Sequence, residues 1–397
     1  MDIYFDNAAT TRVRDESVAA MNTVMREDYG NPSSSHKAGR RAGGILADAR
    51  KKVADALGAQ PDEIYFTSGG TEADNWAVLG AADVLSRKGR HIVTSLAEHD
   101  AVLNTVKELE KKGWSVTYLS PDNIGRISKD DFAAALRDDT VFASIMLVNN
   151  ETGVVNPIEE YADEIKKRKL TTVLHTDAVQ GFCKVPFAVK QLGVELLSVS
   201  AHKIHGSKGV GALYIKKGVK LLPLLFGGGQ ESGKRAGTEA LPAIVGFAEA
   251  AALGAAELNE TTDGVRELRE YMIRQLTAEL PEVVFIGGVS PQKSQLRGDT
   301  LHNVSAAVSS PFILSLSLPG YKGEVLVNYL DGEGVCVSRS AACKKGARSR
   351  VLEAMGLRND IIDGALRVSF SRSNTMEEVD HFVRKLKSAA DTLLKAL

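Results

Sequence analysis

Cysteine is scarce in this chain: three among 397 residues, at positions 183, 336 and 343. Thiols so few and so scattered build no disulfide framework, and none forms a CxxC pair, so no metal site is expected. An excess of positive charge is also missing. Lys and Arg total 49 against 50 Asp and Glu, which leaves no broad basic field for nucleic-acid phosphates, and direct nucleic-acid binding is not expected. No acidic tail or low-complexity tract suggests disorder. The longest stretch without Asp, Glu, Lys or Arg, residues 300–321, holds two prolines and many serines. A bilayer span needs about 20 mostly apolar residues, so no membrane association is expected. The opening Met1-Asp-Ile-Tyr-Phe-Asp has acidic side chains and no apolar core, unlike a signal peptide. These absences favour a cytoplasmic protein of mixed α/β type. Its 44% hydrophobic and 25% charged composition is ordinary, and at about 100–200 residues per domain its length allows two or three domains.

Short apolar runs alternate with helical patterns from about residue 60 to 220. Strands are expected at Glu63–Thr67, His91–Ser95, Ser115–Leu119, Val141–Val148, Thr172–Thr176, Glu195–Val199 and Ala212–Ile215. Helical patterns such as Glu72–Arg87, Ala101–Lys112 and Ile158–Lys169 lie between them. Strands separated by helices imply parallel βαβ units, and nearly continuous apolar runs imply a sheet covered on both faces. After Gly237 the composition changes. An Ala-rich helical stretch, Glu239–Glu257, is expected to continue past a polar break at Asn259–Asp263 into Gly264–Glu279. Strands at Glu282–Ile286, Val304–Ala307 and Ile313–Leu318 and a closing helix, Met376–Ala396, predict a smaller α+β region.

Four segments bear on chemistry. Gly228-Gly-Gln-Glu-Ser-Gly233-Lys234-Arg235 matches seven positions of a P-loop. Arg235 cannot supply the Mg²⁺-binding hydroxyl required at the eighth position, so a flexible loop is the better reading. Arg235 and Thr238 at its end nevertheless suit an anion. Tyr65-Phe-Thr-Ser-Gly-Gly-Thr71-Glu72 runs from a strand through glycines into a helix, which favours a phosphate or, equally, a simple N-cap by Thr71. Leu174-His-Thr-Asp177 ends a strand with an acid, at the edge where such sheets bind ligands. Ser198-Val-Ser200-Ala-His202-Lys203 ends another strand with a lysine, and partial burial of that amine would favour Schiff-base chemistry. One lysine, one strand-end acid and one helix N-terminus are the parts of a pyridoxal 5′-phosphate site.

With these segments stand Tyr4-Phe-Asp-Asn-Ala-Ala-Thr-Thr11, Gly30-Asn-Pro-Ser-Ser34, Glu98-His99, Asn149-Asn-Glu-Thr-Gly153, Gly227-Gly-Gly-Gln-Glu231, Arg235-Ala-Gly-Thr238 and a late cysteine loop. In this order and spacing the whole chain resembles the NifS/IscS-like cysteine desulfurases of the class V aminotransferase family. The resemblance implies a PLP-dependent transferase of fold type I. Its large domain (15–258) would carry a mainly parallel seven-stranded sheet, and a small α+β domain (1–14 and 259–397) would carry the Cys343 loop. It implies that Lys203 is the Schiff-base lysine and that Asp177 pairs with the cofactor's ring nitrogen. Gln180 would meet the ring hydroxyl, Asn150 would lie near ring and substrate, and His99 would stack on the ring and assist proton transfer. Gly70, Thr71, Ser200 and His202 would hold the phosphate, with Thr238 reaching it from the neighbouring subunit of a homodimer. Asn31, Asn150 and Arg367 would bind the substrate, with Asn31 and Arg367 gripping its carboxylate.

The cysteines can then be ranked. Cys183 follows the Asp177 strand and Cys336 lies in the apolar run Gly334-Val-Cys-Val337, so both read as core. Cys343 lies in a polar stretch followed by cations, which favour the thiolate. It matches the family's persulfide-forming cysteine. Expected, then, is conversion of L-cysteine to L-alanine with sulfur passing to Cys343 and on to an acceptor protein of iron–sulfur cluster assembly or tRNA thiolation. A selenocysteine lyase, an aminotransferase or a PLP-binding scaffold with little turnover would share much of the site. The loop departs from the family's Ser-Ser-Gly-Ser-Ala-Cys pattern: Arg339 stands at a small-residue position, Ser340 at the glycine position, and Lys344 and Lys345 follow the cysteine. Lys344, Lys345, Arg348 and Arg350 together suggest either an acidic or RNA-linked acceptor or a solvated loop.

Overall fold

The computed structural model describes residues 2–289, 309–340 and 348–395. Cys343, Lys344, Lys345 and the strand expected at Val304–Ala307 lie outside the described residues. The amino-terminal strand is β1 (Ile3–Tyr4). The large sheet comprises β2 (Ile64–Thr67), β3 (His91–Ser95), β4 (Ser115–Leu119), β5 (Thr140–Ser144), β6 (Val173–Asp177), β7 (Leu196–Ser200) and β8 (Gly211–Ile215). Its order is β2-β8-β7-β6-β5-β3-β4. Only β8 runs against its neighbours, pairing antiparallel with β2 and β7. Apart from β4, at the sheet edge, these strands are buried along their whole length or nearly so. Helices on both faces cover them, which is why their sequences lack polar alternation.

The second region contains β9 (Val284–Ile286), β10 (Ile313–Ser317), β11 (Val335–Cys336), β12 (Ser338–Arg339) and β13 (Ala365–Ser369). Four of these form a sheet of order β12-β13-β10-β9, and β11 pairs in parallel with β1. The sequence thus meets its first strand again near its end. Phe5 sits in the core beside Leu314, Val368 and Phe382.

Two expectations about helices are corrected. The polar stretch Asn259–Asp263 does not break the chain: helix Leu258–Glu279 runs through it, and the break falls at Glu257, where the axis bends by 74° from helix Leu241–Ala256. Glu257 has a reason to stand there. Its carboxylate accepts two hydrogen bonds from Arg14, at 2.9 and 3.0 Å, and one from Arg372. The final helix, Met376–Thr392, opens on a Thr375/Glu378 capping box and stops short of Ala396. No single helix among the described residues is long and apolar enough to cross a membrane.

Candidate active site

Parallel pairing of β6 with β7 sets their carboxyl ends side by side, with Asp177 opposite Ser198. Beyond β7 the chain makes one 3-10 turn, Ala201–Lys203. The result is a cavity of about 620 Å³. Its lining includes Gly70, Thr71, His99, Asn150, Asp177, Gln180, Ser200, His202, Lys203 and Arg367. Of the thirteen residues expected at the site, ten line it; Cys343 lies outside the described residues, Thr238 was expected to arrive from the neighbouring subunit, and Asn31 is not brought here. Asn31 is exposed and outside the lining, its side chain accepting from Ser33 N at 2.9 Å within its own turn. Thr238 is exposed and also outside it.

Lys203 is held by the amino terminus. Its Nζ donates to the carbonyls of Ala8 and Ala9, at 2.8 and 2.7 Å. Asp177 accepts from Val179 N at 2.9 Å and is 5% exposed. Burial pushes its carboxyl upward, against the pull of nearby His99 and Lys203. A second acid, Asp74, is buried beside it on helix Gly70–Leu85 and is raised well above the usual range, first by burial and then by Asp177. Asp74, His99 and Asp177 bring a ligand atom each within 4.8 Å of one another. His99 caps helix Asp100–Lys111, its Nδ1 accepting from Ala101 N at 3.2 Å, so any proton sits on Nε2.

At the other edge, helix Gly70–Leu85 begins immediately after a glycine pair. A Cβ on Gly70 would stand 2.8 Å from Val179 Cγ2, so only glycine lets the helix start approach so closely. Ser200 Oγ is buried there without a hydrogen-bond partner. Burial and the neighbouring lysine depress His202 to about 4, leaving a neutral ring bonded to Thr10 Oγ1 at 3.2 Å. Across the cavity Arg367, 3% exposed, donates to Asn150 O and Asp6 Oδ1 at 2.9 Å each, and its Nε has no partner. An unsatisfied hydroxyl beside a helix N-terminus and an unsatisfied guanidinium N–H suit two anionic groups on one bound species. With Lys203 and Asp177 in the same lining, these residues fit pyridoxal 5′-phosphate together with an amino acid.

The cations after residue 347 have partners within the chain. Arg348 pairs with Asp363, at 2.7 and 3.1 Å. Arg350 donates to Leu96 O (3.0 Å), Asp100 Oδ1 (2.7 Å) and Glu98 O (2.7 Å). Neither therefore stands as free charge for an acceptor, which corrects half of the expected basic cluster. Arg350 instead clasps the backbone just before His99 and the Asp100 side chain just after it. Arg350→Ala is expected to cost about 1–3 kcal/mol of stability. Amides in the first turn of helix Asp100–Lys111 should then exchange faster with deuterium; unchanged exchange would show that the clasp does not hold that turn.

The P-loop look-alike has a structural purpose. Glu231, positive in φ and buried, binds Arg50 at 2.6 and 2.7 Å and accepts from Phe66 N at 2.8 Å. Arg235 is engaged by Glu72 at 2.8 and 3.1 Å, so its suitability for an anion is not realised in this chain. Cys183 is partly buried against the core rather than fully so, and burial pushes its thiol up to about 12. Cys336 is only partly buried, because the two-stranded ladder of β1 and β11 leaves one face half open. The sequence reading missed Asp74 and Arg350. Asp74 carried a signal, an acid at helical spacing with the buried Ala77 and Ala81. Arg350 carried none.

The class V aminotransferase family model matches residues 3–382. A cysteine desulfurase IscS of Methanosarcina thermophila is 44% identical over 95% of this chain and 89% of its own. A putative cysteine desulfurase IscS 1 of Bacillus subtilis is 42% identical over 95% of each. Among solved structures, a NifS-like protein superposes with a TM-score of 0.90 at 39% identity, over 99% of this chain and 100% of that one. SspA in complex with cysteine does so at 0.78 and 31%, over 94% and 100%. Fold type I is thereby shown, and with it dependence on pyridoxal 5′-phosphate. The chain belongs to the class V aminotransferase family, among its cysteine desulfurases.

Proposed function

We infer that this protein converts L-cysteine to L-alanine and passes the sulfur, as a persulfide on Cys343, to an acceptor protein. The observation that carries the reading is one cavity lined by the helix start at Gly70 with Ser200, by Lys203 and Asp177, and by Arg367, in which Ser200 Oγ and Arg367 Nε have no protein partner among the described residues. SspA, a relative by structure, has been solved with cysteine bound. Here the Arg367 guanidinium would hold the substrate carboxylate. Gly70, Thr71, Ser200 and His202 would hold the phosphate, Asp177 the ring nitrogen, and Gln180 and Asn150 the ring's oxygen edge. When bound, the cofactor supplies an electron sink for the pair left behind as Cα loses its proton. The Lys203 amine is placed to take that proton, and His99 Nε2 to donate one. The Cys343 thiolate takes the substrate's sulfur: a sulfur–sulfur bond forms, the Cβ–sulfur bond breaks, and the carbon fragment is protonated to alanine.

Cytoplasmic location, a homodimer and an acceptor in iron–sulfur cluster assembly or tRNA thiolation belong to the same proposal. The names of the relatives support the first of these acceptors. For the dimer, Thr238 is exposed and away from its own cavity, and Leu222, Leu225 and Phe226 shortly before it are 45%, 42% and 84% exposed. The division into a large unit (15–258) and a small one (1–14 with 259–397) is supported by a separate hydrophobic cluster joining Phe5 to residues 265–389. Incubation with L-cysteine should yield alanine and a peptide containing Cys343 heavier by one sulfur atom. Alanine without that modification would overturn the assignment of Cys343.

A further inference from the structure

Lys184 is a buried cation that the chemistry above leaves unused. It is 6% exposed, and its ammonium has no carboxylate partner among the described residues. Its surroundings give a charge little support: the Phe312 ring offers one weak cation–π contact at 6.0 Å, while burial, then Lys203 and Arg367, depress the amine to about 7. An apolar side chain of equal length would pack in such a place at lower cost. The contact that distinguishes lysine is a hydrogen bond from Nζ to Gln180 Oε1, 3.1 Å, one helical turn back in sequence.

A carboxamide is nearly symmetric in shape but not in chemistry, one end accepting and the other donating. Nζ donates to the oxygen, and the amide NH₂ group, which cannot accept from it, is turned away. Gln180 Nε2 accordingly points to Ala8 O at 2.8 Å, the same carbonyl that receives Lys203 Nζ. Gln180 lines the cavity. We propose that Lys184 is a positioning residue that fixes the Gln180 carboxamide with its NH₂ group toward the cavity, making Gln180 a hydrogen-bond donor to the cofactor's ring oxygen. The proposal rests on the reading of Gln180 as a contact of that oxygen.

The test compares holoenzymes carrying Lys184→Met, Gln180→Leu and both. Lys184→Met should melt at or above the wild-type temperature, because a desolvated ammonium is replaced by an apolar chain. Its bound-cofactor absorption band should nevertheless shift, and its dissociation constant for pyridoxal 5′-phosphate should rise about tenfold, the scale of one hydrogen bond to a charged acceptor. Gln180→Leu should give the same shift, and the double variant no more. A shift in Gln180→Leu that Lys184→Met does not share overturns the proposal alone, as does full additivity in the double variant. A Gln180→Leu band identical to wild type overturns the reading of Gln180 and the proposal with it.

Discussion

Lys203→Ala is expected to give a folded protein that releases almost no alanine from L-cysteine. The lysine side chain contributes two hydrogen bonds to the carbonyls of Ala8 and Ala9, so its loss should cost only about 1–3 kcal/mol of stability. Catalysis should fall far more, by roughly 10³-fold or beyond, since one amine serves as attachment point and as proton carrier. The variant should also lose cofactor on gel filtration, for the remaining grip is noncovalent. Turnover near the wild-type rate, measured as alanine formed per protomer, would remove Lys203 from the proposed chemistry. Thermal unfolding run in parallel separates loss of chemistry from loss of fold.

Cys343→Ser should separate the two halves of the reaction. Cofactor binding and its absorption band should match wild type, because the residues that line the cofactor cavity are untouched. Sulfur transfer requires a soft nucleophile that ionises near neutral pH, and a serine hydroxyl is neither. Alanine formation in the presence of an acceptor should fall by at least about 10²-fold. No persulfide should appear on any peptide. A variant that still made alanine at the wild-type rate would place the protein with class V enzymes that need no thiol.

Much of this site was legible in the sequence because strand ends are local features. Asp177 and Lys203 each follow a run of buried residues, and the large sheet places such positions on one edge. Six of the seven strands were found within a residue of their observed bounds, while the expected Val141–Val148 ran four residues past the end of β5. Direction was not legible: β8 runs opposite to its neighbours, and nothing in its five residues records that. Charge pairing was illegible for a related reason. Arg350 meets Asp100 across 250 positions of chain, so in the sequence it looked like one more free cation beside the cysteine. The helix break was misplaced for the same reason: it falls not at Asn259–Asp263 but at Glu257, where arginines from opposite ends of the chain meet.

The place of the amino-terminal segment has a consequence for biosynthesis. β1 waits for β11, which the ribosome makes only after most of the chain has emerged. Ala8 and Ala9, which hold Lys203, hang on that same late pairing, and Asp6 must meet Arg367. A nascent chain can therefore assemble the parallel sheet early yet cannot finish its catalytic pocket until translation is nearly complete. Contacts this distant in sequence close slowly. Such ordering makes the first eleven residues a poor place to attach a tag.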